Sequence, residues 1–136
     1  MSEERKVEQP QVLVADDDPA ILRLVKTIVE KEGYSVVTAR DGKDAYKLLQ
    51  SGEKFIAAIF DVVMPYIQGT ELVRYMKTEK KLMNIPVIMM TAEQNPRLSS
   101  ESYSAGAVAF LPKPFTTAQL KTMLEVFVQK SQSDNK

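Results

Sequence analysis

Three aspartates stand side by side at Asp16, Asp17 and Asp18, directly after the apolar run QVLVA. Like charges this close repel, so such a triplet either sits on a solvated turn or gathers a cation. A fourth carboxylate, Asp61, follows the run FIAAIF; a hydroxyl, Thr91, ends PVIMMT; an ammonium, Lys113, follows VAFLP. The charge of Asp16, Asp17 and Asp61 would be matched by one divalent cation together with Lys113. Without that cation, at least one of the carboxyls should titrate above its usual range. The chain has no histidine and no cysteine, which removes imidazole and thiolate as ligands, bases or carriers. An all-oxygen site of this kind points to Mg²⁺ or Mn²⁺, with water completing an octahedron. Asp18 is different: followed by Pro19, it reads as a helix cap.

Taken singly, none of these residues is distinctive. An aspartate at a strand-to-helix turn is usually a cap or a turn residue, and a threonine ending a strand is usually a β-former. Their joint placement gives them meaning, so the elements that position them matter. Five short apolar runs, at 11–15, 34–39, 55–60, 86–91 and 108–112, have the length of buried strands. Helical patterns lie between them. One starts at Asp18-Pro19, repeats Ile21, Leu24, Val25 and Ile28, and stops at Gly33. A second is capped by Asp41 and ends at Gly52, and a third runs from about Gln68 to Lys80. The stretch 95–105 has a proline start, many serines and a weak apolar stripe, so it is expected to be short and mobile or partly loop. The last helix starts at Thr116 or Thr117 and carries Leu120, Met123, Leu124 and Phe127 on one face.

Strands alternating with helices imply a parallel sheet covered on both faces. Right-handed crossovers favour the flavodoxin-like α/β order 2-1-3-4-5. Chemistry in such sheets lies beyond the carboxyl ends of the strands, which is where Asp16, Asp17, Asp61, Thr91 and Lys113 fall.

The 136 residues suit one domain, expected over 11–130, with polar tails at 1–10 and 131–136. Eighteen basic and eighteen acidic residues give no net charge, so neither direct nucleic-acid binding nor attraction to anionic lipid is expected. The longest apolar run, FIAAIF, is far short of a membrane span, and the N-terminus lacks the apolar core of a signal peptide. The expectation is a cytoplasmic chain with no membrane insertion.

The motifs VADDDP, FDVVMP with Gly69, MTAE and FLPKPF, in this order on these element ends, resemble the receiver domain of two-component response regulators. The resemblance covers roughly residues 11–130, and the chain is similar to the stand-alone chemotaxis and sporulation-relay type. It implies that Asp61 is the phosphoacceptor, forming an aspartyl phosphate. It further implies Mg²⁺ held by Asp16, Asp17, Asp61 and the Val63 carbonyl, with Lys113 neutralising the transferred group. The Lys113-Pro114 peptide is expected to be cis. In the implied switch, Thr91 turns its hydroxyl to the phosphoryl group and Phe110 moves inward. A protein target then reads the face built from the fourth helix, fifth strand and fifth helix. The donor would be a histidine kinase or histidine phosphotransfer protein, since this chain has no histidine of its own. The chain is expected to accept phosphate rather than act as an enzyme, assisting its own phosphorylation and slow dephosphorylation. The length leaves no room for an output domain, so output by protein contact, or a receiver cut from a longer protein, is expected.

Three positions depart from the commonest family pattern. Val63 replaces a residue that is often polar and helps place the hydrolytic water, so a slower phosphate loss is expected, with Glu93 as a second influence on lifetime. Gln68 precedes Gly69 where Asp is frequent, and Phe110 stands where Tyr is also common. Other functions fit less well. An aspartyl phosphatase needs a second Asp at the place of Val63, and a flavodoxin would find its phosphate repelled by DDDP. A receiver-shaped module that binds partners without taking phosphate is the remaining alternative.

Overall fold

In the computed structural model, which describes residues 9–128, five strands and five helices alternate along the chain. The strands are β1 (Gln11–Ala15), β2 (Ser35–Ala39), β3 (Ala57–Asp61), β4 (Val87–Thr91) and β5 (Ala109–Pro112). All pair in parallel in the order β2-β1-β3-β4-β5, with Ala15 beside Phe60 and Asp61 beside Met90. Every residue of β3 and β4 is buried, as expected for strands covered on both faces. The flavodoxin-like order read from the sequence is therefore the observed one. The expected tails lie outside the described residues, apart from Gln9 and Pro10.

The helices are α1 (Pro19–Lys31), α2 (Gly42–Gln50), α3 (Gly69–Lys77), α4 (Arg97–Ala105) and α5 (Thr117–Phe127). Asp18 caps α1 by accepting the Ala20 N–H, Asp41 caps α2 through the Asp44 N–H, and Thr116 caps α5 through the Gln119 N–H. Two apolar layers sandwich the sheet. Leu22, Val25 and Ile28 of α1 join Leu120 and Leu124 of α5 over Ile59 and Ile88. On the other face, Leu49 of α2 and Leu72 and Met76 of α3 cover Leu13, Phe60 and Met89. Among the described residues, no helix is long and apolar enough to cross a membrane.

The stretch 95–105 is short, as expected: Asn95 and Pro96 lie outside the helix, and α4 is a continuous helix of nine residues. It needs no wide apolar stripe because its inward residues are small. Ser102 is fully buried and satisfies its hydroxyl on the Leu98 carbonyl at 2.7 Å, and Ala105 is buried beside it. The third helix ends at Lys77, short of Lys80, because Thr78 turns back on the chain. Both its N–H and its hydroxyl donate to the Tyr75 carbonyl, at 3.0 and 2.7 Å.

Candidate functional site

Three acidic groups meet at the carboxyl end of the sheet. Asp16 follows β1, and although fully buried it is not isolated: its Oδ1 accepts the Asp18 N–H at 2.9 Å and its Oδ2 accepts Lys113 Nζ at 2.7 Å. Asp17 beside it is exposed. Asp61, the last residue of β3, is 6% exposed. Its Oδ2 lies 3.4 Å from Lys113 Nζ and its Oδ1 3.4 Å from the Val63 N–H. One carboxylate oxygen from each of Asp16, Asp17 and Asp61 lies within 4.8 Å of the other two. Adjacent parallel strands bring residues 16 and 61 together because β1 and β3 are neighbours.

The remaining site residues border this cluster. Thr91 ends β4 and is buried; its hydroxyl oxygen accepts the Glu93 N–H at 3.1 Å. The Lys113 N–H donates to the Thr91 carbonyl at 2.8 Å, which ties the lysine's backbone to the end of β4. Its next peptide bond, Lys113-Pro114, is cis, as expected. Val63 is 41% exposed beside Asp61, and Glu93 is exposed. Phe110 sits on β5 opposite Met89, half-buried against the layer that includes α2 and α3. Its strand is separated by β4 from β3, which ends in Asp61.

The electrostatics follow from burial. Asp61 is pushed up from 3.8 to about 6, first by burial and then by the neighbouring Asp16 charge. Lys113 and the Val63 N–H pull it back only in part. This is the strained carboxyl that charge counting requires when one ammonium faces two buried acids. Burial also disfavours the charged form of Lys113, but the Asp16 hydrogen bond and the Asp61 and Asp16 charges outweigh it and hold the ammonium above its ordinary range. The donor set is all carboxylate and concentrated on one spot. It suits a hard divalent cation such as Mg²⁺, which keeps several waters and takes a few carboxylates.

Two features of the surrounding loop were not anticipated from the sequence. Gly42, at the start of α2, lies so close to the loop after β3 that a Cβ there would collide with the Ile67 carbonyl. Its N–H also donates to the Pro65 carbonyl at 3.2 Å. A glycine directly after a capping aspartate, where better helix formers are available, is the signal that could have found it. Tyr66, in the same loop, adopts a left-handed conformation with φ of 71°, uncommon for a bulky residue. Gly69 makes a similar close approach, with the Asp61 carbonyl where its Cβ would be.

With this geometry in hand, the chain can be compared with known proteins. The family model described as the response regulator receiver domain matches residues 12–125. The chemotaxis protein CheY-3 of Vibrio cholerae is 31% identical over 121 residues, covering 88% of this chain and 92% of that protein. Response regulator MprA of Mycolicibacterium vanbaalenii is 30% identical over 125 residues, but this chain spans only 53% of its length. The same holds for Protein PetR of Rhodobacter capsulatus, of which the chain spans 49%. Among solved structures, the chemotaxis response regulator CheY4 of Vibrio cholerae aligns with a TM-score of 0.79 at 32% identity. That match covers 87% of this chain and 98% of the other.

Proposed function

Because this chain belongs to the response regulator receiver domain family, we propose that it is a phosphoacceptor signalling module, phosphorylated on Asp61. The observation that carries this reading is the convergence of Asp16, Asp17 and Asp61 with Lys113 at one end of the sheet. Asp61 supplies the attacking oxygen. A new O–P bond forms at its carboxylate while the P–N bond of a phosphohistidine breaks, its electron pair leaving with the imidazole. The donor is a histidine kinase or histidine phosphotransfer protein.

Asp16, Asp17, Asp61 and the Val63 carbonyl would hold Mg²⁺, which when bound neutralises charge on the transferred group. Lys113, within reach of both Asp16 and Asp61, would contribute a second positive charge to the transferred group. The protein thus works by positioning and electrostatics and assists its own phosphorylation without turning over as an enzyme. Val63 places an apolar, half-exposed side chain beside Asp61, which supports slow hydrolysis of the acyl phosphate, with the exposed Glu93 a candidate to assist water.

Phosphorylation adds about −1.5 to −2 charge and three strong acceptors. Thr91 would then exchange its bond with the Glu93 N–H for one to a phosphoryl oxygen, and Phe110 would move inward along β5. A protein target reads the change on the face formed by α4, β5 and α5. A cytoplasmic location goes with this reading. Its test is phosphotransfer: incubation with Mg²⁺ and acetyl phosphate should give an acid-stable, hydroxylamine-labile phosphate on the wild type. The label should be absent with EDTA and in Asp61→Asn. Equal labelling of Asp61→Asn would overturn the assignment.

A further inference from the structure

The edge of the sheet opposite Asp61 has a structure of its own. A cleft of about 890 Å³ opens there between the carboxyl-terminal ends of α2 and α3 and the segment leading to β4. Its floor is apolar: Leu49, Phe55 and Leu82 are buried, while Tyr75 and Ile85 are half-buried. A second cleft of about 490 Å³ adjoins it, sharing Phe55, Lys80, Lys81 and Ile85, and reaches the part-exposed ring of Phe127. Together they form a trough across the amino-terminal ends of β3 and β4.

The rim is charged in an uneven way. Lys54, Lys80 and Lys81 are exposed, and none of their ammonium groups has an ion pair or hydrogen bond among the described residues. Two glutamates, Glu53 and Glu79, share the rim and keep their charge, so the lysines outnumber them by one. The Glu53 carboxylate is turned towards Gln11, whose Nε2 donates to it at 2.9 Å. Elsewhere on the surface Lys26 pairs with Glu30 and Arg40 with Asp44, while Lys31, Lys47 and Lys121 have no ion pair among the described residues. What sets the rim lysines apart is therefore the apolar floor beside them. A lysine cluster that is merely solvated has no need of an apolar floor beneath it, whereas this one overhangs Phe55, Tyr75 and Ile85.

We infer that this trough docks an acidic segment of a partner protein. An aliphatic or aromatic anchor lies on the Phe55–Tyr75–Ile85 floor, and flanking carboxylates meet Lys54, Lys80 and Lys81. Two adjoining clefts suit an extended occupant better than a compact one. Nucleic acid would satisfy the lysines but leave the apolar floor uncovered. The occupant sits at the far end of the strands from Asp61, so it leaves the carboxylate cluster open, and the inference does not depend on phosphorylation.

The test is a titration of the ¹⁵N-labelled full chain with the synthetic peptide Glu-Asp-Leu-Phe-Asp-Glu, followed by amide shifts. Saturable shifts are expected near Lys54, Tyr75, Lys80, Lys81 and Ile85, and none around Asp61. Affinity should fall about tenfold in the double variant Lys80→Gln, Lys81→Gln, the scale of two part-exposed ion pairs. It should fall similarly when the peptide's acids are replaced by their amides, and when Leu-Phe is replaced by Ser-Ser. Acetyl phosphate should still label the double variant, which separates this result from any failure at Asp61. Absent shifts, shifts scattered over other lysines, or shifts indifferent to these replacements would overturn the proposal. So would capture of the chain by anionic vesicles with no response to the peptide.

Discussion

At the scale of single residues, Asp61 carries the conflict on which the site depends. The fold holds its carboxyl near 6 against an ordinary 3.8, so the folded state prefers it protonated. Below about pH 4 the group is protonated in both folded and unfolded chains and contributes nothing adverse. Between about 4 and 6 the unfolded carboxyl ionises while the folded one keeps its proton, so the penalty grows across that window and stays at its full size above it. Asp61→Asn removes the penalty. In EDTA, the variant should therefore melt higher than wild type at neutral pH, with an advantage that shrinks as pH falls towards 4. An advantage independent of pH, followed by thermal melts across that range, would count against burial as its cause. Val63 raises a different question, since it sets an apolar surface where hydrolytic water must approach. Val63→Asn is expected to shorten the half-life of the acyl phosphate, measured as loss of label after the donor is removed; superimposable decays would place control of the water elsewhere.

At the scale of elements, the strands and their ends carry the site while loops tune it. The loop after β3 rests on Gly42 of α2, where a methyl group would meet the Ile67 carbonyl. Gly42→Ala should cost about 1–3 kcal/mol in denaturant unfolding, as overpacking does, and should weaken Mg²⁺ binding by shifting the loop that bears Val63. Thr78→Ala, which removes the side-chain bond that closes α3 at the other end of the sheet, should cost about 1 kcal/mol without touching metal affinity. Equal effects of both changes on the metal titration would mean that Gly42 acts through general stability alone. The same contrast shows what a sequence can disclose. Strand order and the convergence of Asp16, Asp17, Asp61, Thr91 and Lys113 were legible because period, caps and motifs all act locally and agree. A short α4 was legible too, but not its buried Ser102, which satisfies its own hydroxyl inside the helix and so hides a buried position behind a polar letter. Gly42 was not, because its constraint comes from a chain segment more than twenty residues away. The end of α3 was missed because Thr78 closes the helix by a side-chain bond that hydrophobic periodicity does not register.

At the scale of the whole molecule, the sheet separates two ends with different chemistry. The carboxyl end concentrates acids that resist one another, so a cation binding there should stabilise the entire fold by mass action. At a Mg²⁺ concentration of 100 times Kd the gain is about 2.7 kcal/mol. Wild type should therefore melt higher as Mg²⁺ is added, and Asp17→Ala should respond far less. A melting temperature that ignores Mg²⁺ in both would remove the metal from the account. The central claim is that phosphate goes to Asp61, and it can be read at the level of the atom. Borohydride reduces an aspartyl phosphate to homoserine, so the phosphorylated chain can be reduced, digested and sequenced by mass spectrometry. The account predicts homoserine at position 61 and nowhere else. Homoserine at Asp16, Asp17 or another carboxylate, with Asp61 unchanged, would contradict it.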